Sequence, residues 1–172
     1  MLANRILHAA GLDPQHDIRA QSLGVAQSVD AMKDGKIDAF FWNAGLPTAS
    51  ILDLVNTPGI RARFIPTEEI LPKLNELYGP GLYYTAVIPK GTYKTNPDVP
   101  VVAVANVLVV SESMPETLAH DITKLLFDKQ SDLEAIHPQA RELSLQTALK
   151  GSPIPYHPGA IRYYKERQAW AQ

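Results

Sequence analysis

The sequence predicts an α/β fold, and three observations carry that expectation. Segments with helical spacing alternate with short apolar runs through the first half of the chain. Two strongly β-prone runs occupy the middle, and the last third returns to helical patterning. The opening MLANRILHAAGLDP places Leu2, Ile6, Leu7 and Ala10 on one side of a short amphipathic helix, and Gly11 supplies the left-handed stop. LGVAQSVDAMK spaces Val25, Val29 and Met32 as a second helix, with Gly35 just past its end. The run from Ile37 to Trp42, IDAFFW, is apolar without alternation, as expected of a strand buried on both faces. Asn43 to Pro47 breaks it, and Thr48 to Val55 reads as a helix. Ala62 to Pro66 reads as a short strand, after which Thr67 caps a helix that opens on Glu68 and Glu69. This order predicts a parallel or mixed sheet with helices on its faces.

Leu82 to Pro89 and Val101 to Ser111 are the two β-prone runs, separated by KGTYKTNPDVP; a stretch this extended suits a crossover between two α/β pieces. Pro115 to Asp128 then reads as a helix with Leu118, Ile122, Leu125 and Leu126 on one face. Leu133 to Ile136 continues helically, Ser144 to Leu149 forms a short helix, and Ala160 to Trp170 forms the last one. Tyr163 and Tyr164 anchor that final helix to the body.

Composition removes several function classes. The net charge of −2 is spread along the chain, so no basic face neutralises phosphates and no nucleic-acid partner is expected. Cysteine is absent, which excludes disulfides, thiolate catalysis and Cys-based zinc sites. The histidines His8, His16, His120, His137 and His157 lack the i, i+4 pairing of a helical metal site, and neither metal nor cofactor is expected. The nucleophile elbow, the phosphate loop and the dinucleotide-binding turn are all missing. No run of roughly 18 apolar residues spans a membrane, and the N-terminus is too polar for a secretory signal.

Two segments remain as candidate ligand sites. FFWNAGLPTA ends an apolar run at Trp42, Asn43 and Gly45 and starts a helix near Thr48. That places backbone N–H groups at a strand's C-terminal rim and a helix N-terminus beside them, an arrangement that favours an anion. The alternative is an ordinary strand-to-helix turn, with Gly for its conformation and Pro at the first helical position. The second segment is the aromatic cluster Tyr83, Tyr84 and Tyr93, whose rings suit a site closing over a polar ligand, or simply half-buried strand packing.

Three stretches in order carry a specific likeness: DGKIDAFFWNAGLPTASILDL, then YYTAVIPKGTYKTNPDVPVVAVANVLVVSESMPETLAHDITKLLFD, then HPQARELSLQTALKGSPIPYHPGAIRYYKE. Together they closely resemble the solute receptors of the TAXI branch of TRAP transporters. The resemblance implies a two-lobed receptor of the periplasmic binding protein type II, with ligand held in the cleft between lobes. It implies that residues 1–81 are the remainder of the second lobe, that 82–172 are the crossover and returning part of the first, and that the chain is N-terminally truncated. A non-enzymatic receptor for a small carboxylate follows, such as an organic acid or a glutamate-like amino acid, served by TRAP membrane subunits. Trp42, Asn43, Gly45 and Thr48 line its site, with Tyr83 or Tyr84 on the hinge side. An inactive receptor remnant and an enzyme on a binding-protein-like fold are the alternatives. The location implied is the periplasm, or the cytoplasm if Met1 is the genuine start. The chain alone is expected to bind weakly and to self-associate through its uncovered apolar runs.

Overall fold

The structure is a computed structural model that describes residues 2–94 and 97–170. Met1, Thr95 and Asn96 of the predicted connection, and Ala171 and Gln172, lie outside the described residues. The chain divides into two compact units, 1–103 and 104–172.

The first unit opens with α1 (Leu2–Ala9), which buries Ile6 and ends where Gly11 adopts φ 83°. α2 (Val25–Lys33) starts where the Gln27 side chain accepts from the Gly24 N–H at 3.1 Å, and its Val29 is buried. α3 (Ala49–Asn56) buries Ile51 and Leu54, and α4 (Leu71–Tyr78) buries Leu74. Lys33 of α2 is ion-paired to Asp53 of α3. β1 (Tyr84–Ile88) and β2 (Val99–Ala103) form a two-stranded antiparallel sheet in which Tyr84 faces Ala103 and Ile88 faces Val99. The core of this unit gathers Val29, Ile51, Leu54, Ile88, Tyr93 and Val99, with Phe40, Trp42, Leu46 and Phe64 packed against it.

Helices and a sheet are both present, so the α/β class stands, but the sheet is smaller than predicted and its strands are antiparallel. Ile37 to Trp42 and Ala62 to Pro66 are not strands. The reason is hydrogen-bonding geometry. A strand buried on both faces needs a ladder partner for its backbone groups, and none lies beside Ile37–Trp42 among the described residues. Instead Ile37, Phe40 and Trp42 are half-buried while Asp38, Ala39 and Phe41 face solvent. The Ala62–Pro66 segment packs Phe64 on the core, and the next residue, Thr67, bonds to the sheet: its N–H donates to Pro100 O at 3.2 Å and its hydroxyl accepts from the Val102 N–H at 2.9 Å. That hydroxyl is therefore spent on β2 and does not cap the following turn, which is a 3-10 helix over Glu68–Ile70 leading into α4.

The second unit contains only helices among its described residues. The predicted strand Val101–Ser111 stops at Ala103, and Val107, Leu108 and Val109 beyond it are exposed. α5 (Glu116–Asp128) is followed by α6 (Gln130–Ile136), a 3-10 turn at Pro138–Glu142, and α7 (Pro158–Glu166). Ser144 to Leu149 forms turns rather than the predicted helix. α5 buries Ala119 and His120, while Leu118 and Leu125 of the expected apolar face are exposed. Close approach of α7 decides this, because Gly159 lies directly against the backbone of Glu116 and His120. Tyr163 and Tyr164 anchor α7 as predicted: both are buried, and Tyr163 stacks on Phe127 of α5 at 5.4 Å between ring centroids. No helix among the described residues is long and apolar enough to cross a membrane.

Candidate functional site

The segment from Phe40 to Ala49 is held in shape by three side chains of its own unit. Trp42, Phe64 and Tyr93 form a triangle of rings, with centroids 5.6 Å apart for Trp42–Phe64, 5.4 Å for Phe64–Tyr93 and 6.2 Å for Trp42–Tyr93. Edge-to-face and tilted contacts at these separations add to the area the rings bury. Tyr93 is 1% exposed, and its hydroxyl accepts from the Thr48 N–H at 2.6 Å. The Thr48 hydroxyl donates back to Gly45 O at 2.9 Å and accepts from Trp42 Nε1 at 3.1 Å. The Leu46–Pro47 peptide between these residues is cis.

This network assigns Thr48 a positioning task. Its N–H is committed to Tyr93 and its O–H to Gly45 within the loop, and its side chain does not cap α3. The Ile51 N–H turns back to the Thr48 carbonyl oxygen at 3.1 Å, so the N–H groups without an intrahelical partner at the positive end of α3 are those of Ala49 and Ser50. Asn43 is exposed on the same loop, so its amide offers two N–H donors and a carbonyl acceptor to solvent. No ionisable side chain occurs between Ala39 and Leu52. What the loop presents is a set of neutral donors on a rigid aromatic base.

The structure brings Trp42, Gly45 and Thr48 into one network, with Asn43 at its surface. Tyr83 and Tyr84 have different surroundings. Tyr83 is buried and accepts from Arg5 Nη1 at 2.5 Å, while the Arg5 guanidinium lies 4.4 Å from the centre of the Tyr78 ring. That arrangement ties α1 to α4 and the start of the hairpin. Tyr84 stands on β1 and is 36% exposed. Consecutive residues of an extended chain face opposite ways, so the two rings do not share one environment.

Tyr93 and Phe64 are the residues that the sequence did not place at this loop. Tyr93 carried a signal, being part of the aromatic cluster, but nothing local connected it to Thr48, 45 residues away. Phe64 sits in the segment that looked like a strand and serves instead as a single packing ring. The second unit has a cavity of about 280 Å³ lined by Leu145, Gln146, Leu149, Arg167, Gln168 and Ala169, none of them a predicted site residue.

The NMT1-like family model matches residues 1–167, close to the whole chain. This is a family of the periplasmic-binding-protein kind related to solute receptors. On that match the chain belongs to the NMT1-like family.

Proposed function

We propose that this chain serves as the ligand-capturing portion of an extracytoplasmic solute receptor of the TAXI branch of TRAP transporters, taking a small carboxylate and delivering it to membrane subunits. The ligand class is an organic acid or a glutamate-like amino acid. The observation that supports this reading is the Phe40–Ala49 loop, where Asn43 and the start of α3 offer donors around a centre fixed by Tyr93 and Thr48. An anion held by neutral donors and a helix terminus is bound without a permanent counter-charge, which suits capture followed by release. Acid–base chemistry requires a titratable group within hydrogen-bond reach of the reacting atom. The residues from Ala39 to Leu52 supply none, and the role proposed is accordingly binding, without turnover.

Saturation-transfer NMR with glutamate and with short mono- and dicarboxylates, recorded on the purified chain, tests the proposal because it detects weak binders. Asn43→Ala is expected to weaken the best carboxylate by about ten- to a hundredfold, the loss of one hydrogen bond to a charged group. Its melting temperature should not change, since Asn43 is exposed. Absence of saturation transfer to every carboxylate, or an unchanged affinity in the variant, rejects the site. Conversion of a ligand during the same experiment would replace binding by an enzymatic role.

Self-association belongs to the same proposal. Leu108 is 66% and Val109 62% exposed on an irregular stretch that lies in no strand among the described residues. A segment of this kind adds readily to another edge. Light scattering is expected to show concentration-dependent growth that Leu108→Lys abolishes; a monodisperse monomer at all concentrations refutes it.

A further inference from the structure

We propose that His120, held between Asp121 and Glu166, is a proton-operated latch that fastens α7 to α5 in the second unit. His120 Nε2 lies 2.9 Å from a Glu166 carboxylate oxygen on α7, and Nδ1 lies 3.0 Å from an Asp121 carboxylate oxygen on α5. An ionised carboxylate only accepts hydrogen bonds, so both ring nitrogens have to donate, and only the doubly protonated imidazolium does so. A neutral ring satisfies one carboxylate and turns a lone pair toward the other. The site therefore selects the charged ring although the His120 side chain is only 11% exposed.

The charges around the ring are mixed, and each packed helix contributes. Glu166 and Asp121 favour the proton, with the Glu166 hydrogen bond the larger influence; burial and the Arg162 guanidinium oppose it. The balance holds His120 above the ordinary imidazole value of 6.5. Arg162 lies 3.7 Å from Glu166 and 3.7 Å from Glu116, so its charge is shared between two acids. The Tyr163 ring meets the imidazole edge-on at 5.9 Å between centroids. α6 also packs on α5, but its acids Asp132 and Glu134 are paired with Lys129 and Arg141. Lys124, the remaining cation of α5, is paired with Asp128.

Position along α7 makes this a latch. The N-terminal end of α7 is pinned by Gly159 against α5, and the middle by Tyr163 on Phe127. Glu166 is the last residue of α7, so the His120 bond secures the end from which Trp170 follows. Because the folded-state affinity for the proton is raised, the contribution is complete below the ordinary imidazole value and disappears as pH rises through the higher folded-state value. Deprotonation then frees the C-terminal turn of α7 while its other end stays seated.

Two-bond ¹H–¹⁵N NMR of the histidine rings, run on the whole chain between about pH 6 and about pH 9, tests the latch together with amide hydrogen exchange over α7. His120 is expected to keep its proton above the ordinary imidazole value of 6.5, and Glu166→Gln should lower its midpoint. Wild-type amides in the last turn of α7 should lose protection through the same midpoint, beyond the ordinary base-catalysed trend, and His120→Gln should lack that step. A His120 midpoint at or below the ordinary imidazole value of 6.5, or one that Glu166→Gln leaves in place, overturns the proposal. So does an equal protection step in His120→Gln. Should that variant fail to fold, Glu166→Gln and Asp121→Asn carry the test, since both leave the imidazole present.

Discussion

Replacing Gly159 by alanine is expected to destabilise the second unit by about 3 kcal/mol, an overpacking cost at the upper end of the usual range. A helical glycine exchanged for alanine ordinarily gains stability by about 1 kcal/mol, because the backbone loses less freedom on folding. Here the opposing effect is larger. A Cβ at position 159 would lie 2.2 Å from the Glu116 carbonyl oxygen, 2.7 Å from the His120 backbone nitrogen and 2.9 Å from the Ala119 Cβ. Two of those three atoms are backbone of α5 and have no rotamer to move to. Relief requires α5 and α7 to separate, which also lengthens the His120–Glu166 bond and opens the Tyr163–Phe127 stack. The two tryptophans make the measurement local, since Trp42 reports the first unit and Trp170 the second. Urea unfolding followed at Trp170 in a Trp42→Phe background should shift to lower denaturant in Gly159→Ala, with the Trp42 transition of the complementary background unmoved. An unshifted Trp170 transition would show that the helices yield without cost.

How much of this was legible in the sequence depended on whether the deciding interaction was local. α1, α2, α3 and the body of α5 announced themselves through spacing and terminators such as Gly11 and Gly35, which adopt φ of 83° and 68°. β1 lies inside Leu82–Pro89 and β2 begins just ahead of Val101, because β-branched residues are frequent there and a partner is near in the chain. Ile37–Trp42 and Val107–Val110 have the same apolar character but lie in no strand of the sheet among the described residues, and composition cannot supply a ladder partner. The face of α5 was misjudged for a related reason. Leu118 and Leu125 are the greasier positions, yet what α7 needs is close approach at Ala119 and His120.

The candidate loop shows the same division. Trp42, Gly45 and Thr48 fall within a few residues of one another, so the sequence grouped them, though it expected a strand end there and not the bonds that join them. The ring that holds them comes from Tyr93, and the acid that completes the His120 bracket lies 46 residues away. Neither pairing leaves a trace in the local sequence, and both are set by tertiary packing.

Tyr93 is the second place where a large effect is expected, and two substitutions separate its two contributions. Tyr93→Phe keeps the ring among Trp42 and Phe64 and removes only the hydroxyl, so the Thr48 N–H loses its acceptor. An unmet donor costs about 1–3 kcal/mol when water cannot replace the partner; Thr48 is half-buried, so the lower part of that range applies. Tyr93→Ala removes the ring as well, at a side chain only 1% exposed, and should cost about 3–5 kcal/mol through lost burial and the cavity left between Trp42 and Phe64. The phenylalanine variant bears more directly on function. With the core still filled, the Thr48 N–H is released, the turn from Gly45 to Thr48 loses its fixed geometry, and Asn43 is no longer presented in one orientation. Carboxylate binding should therefore fall in Tyr93→Phe by more than its modest loss of stability explains, with a shift in Trp42 emission in a Trp170→Phe background. Equal urea midpoints for the two variants would show that the ring contributes nothing beyond its hydroxyl. Wild-type binding in Tyr93→Phe would show that the Thr48 anchor does not order the loop for its ligand.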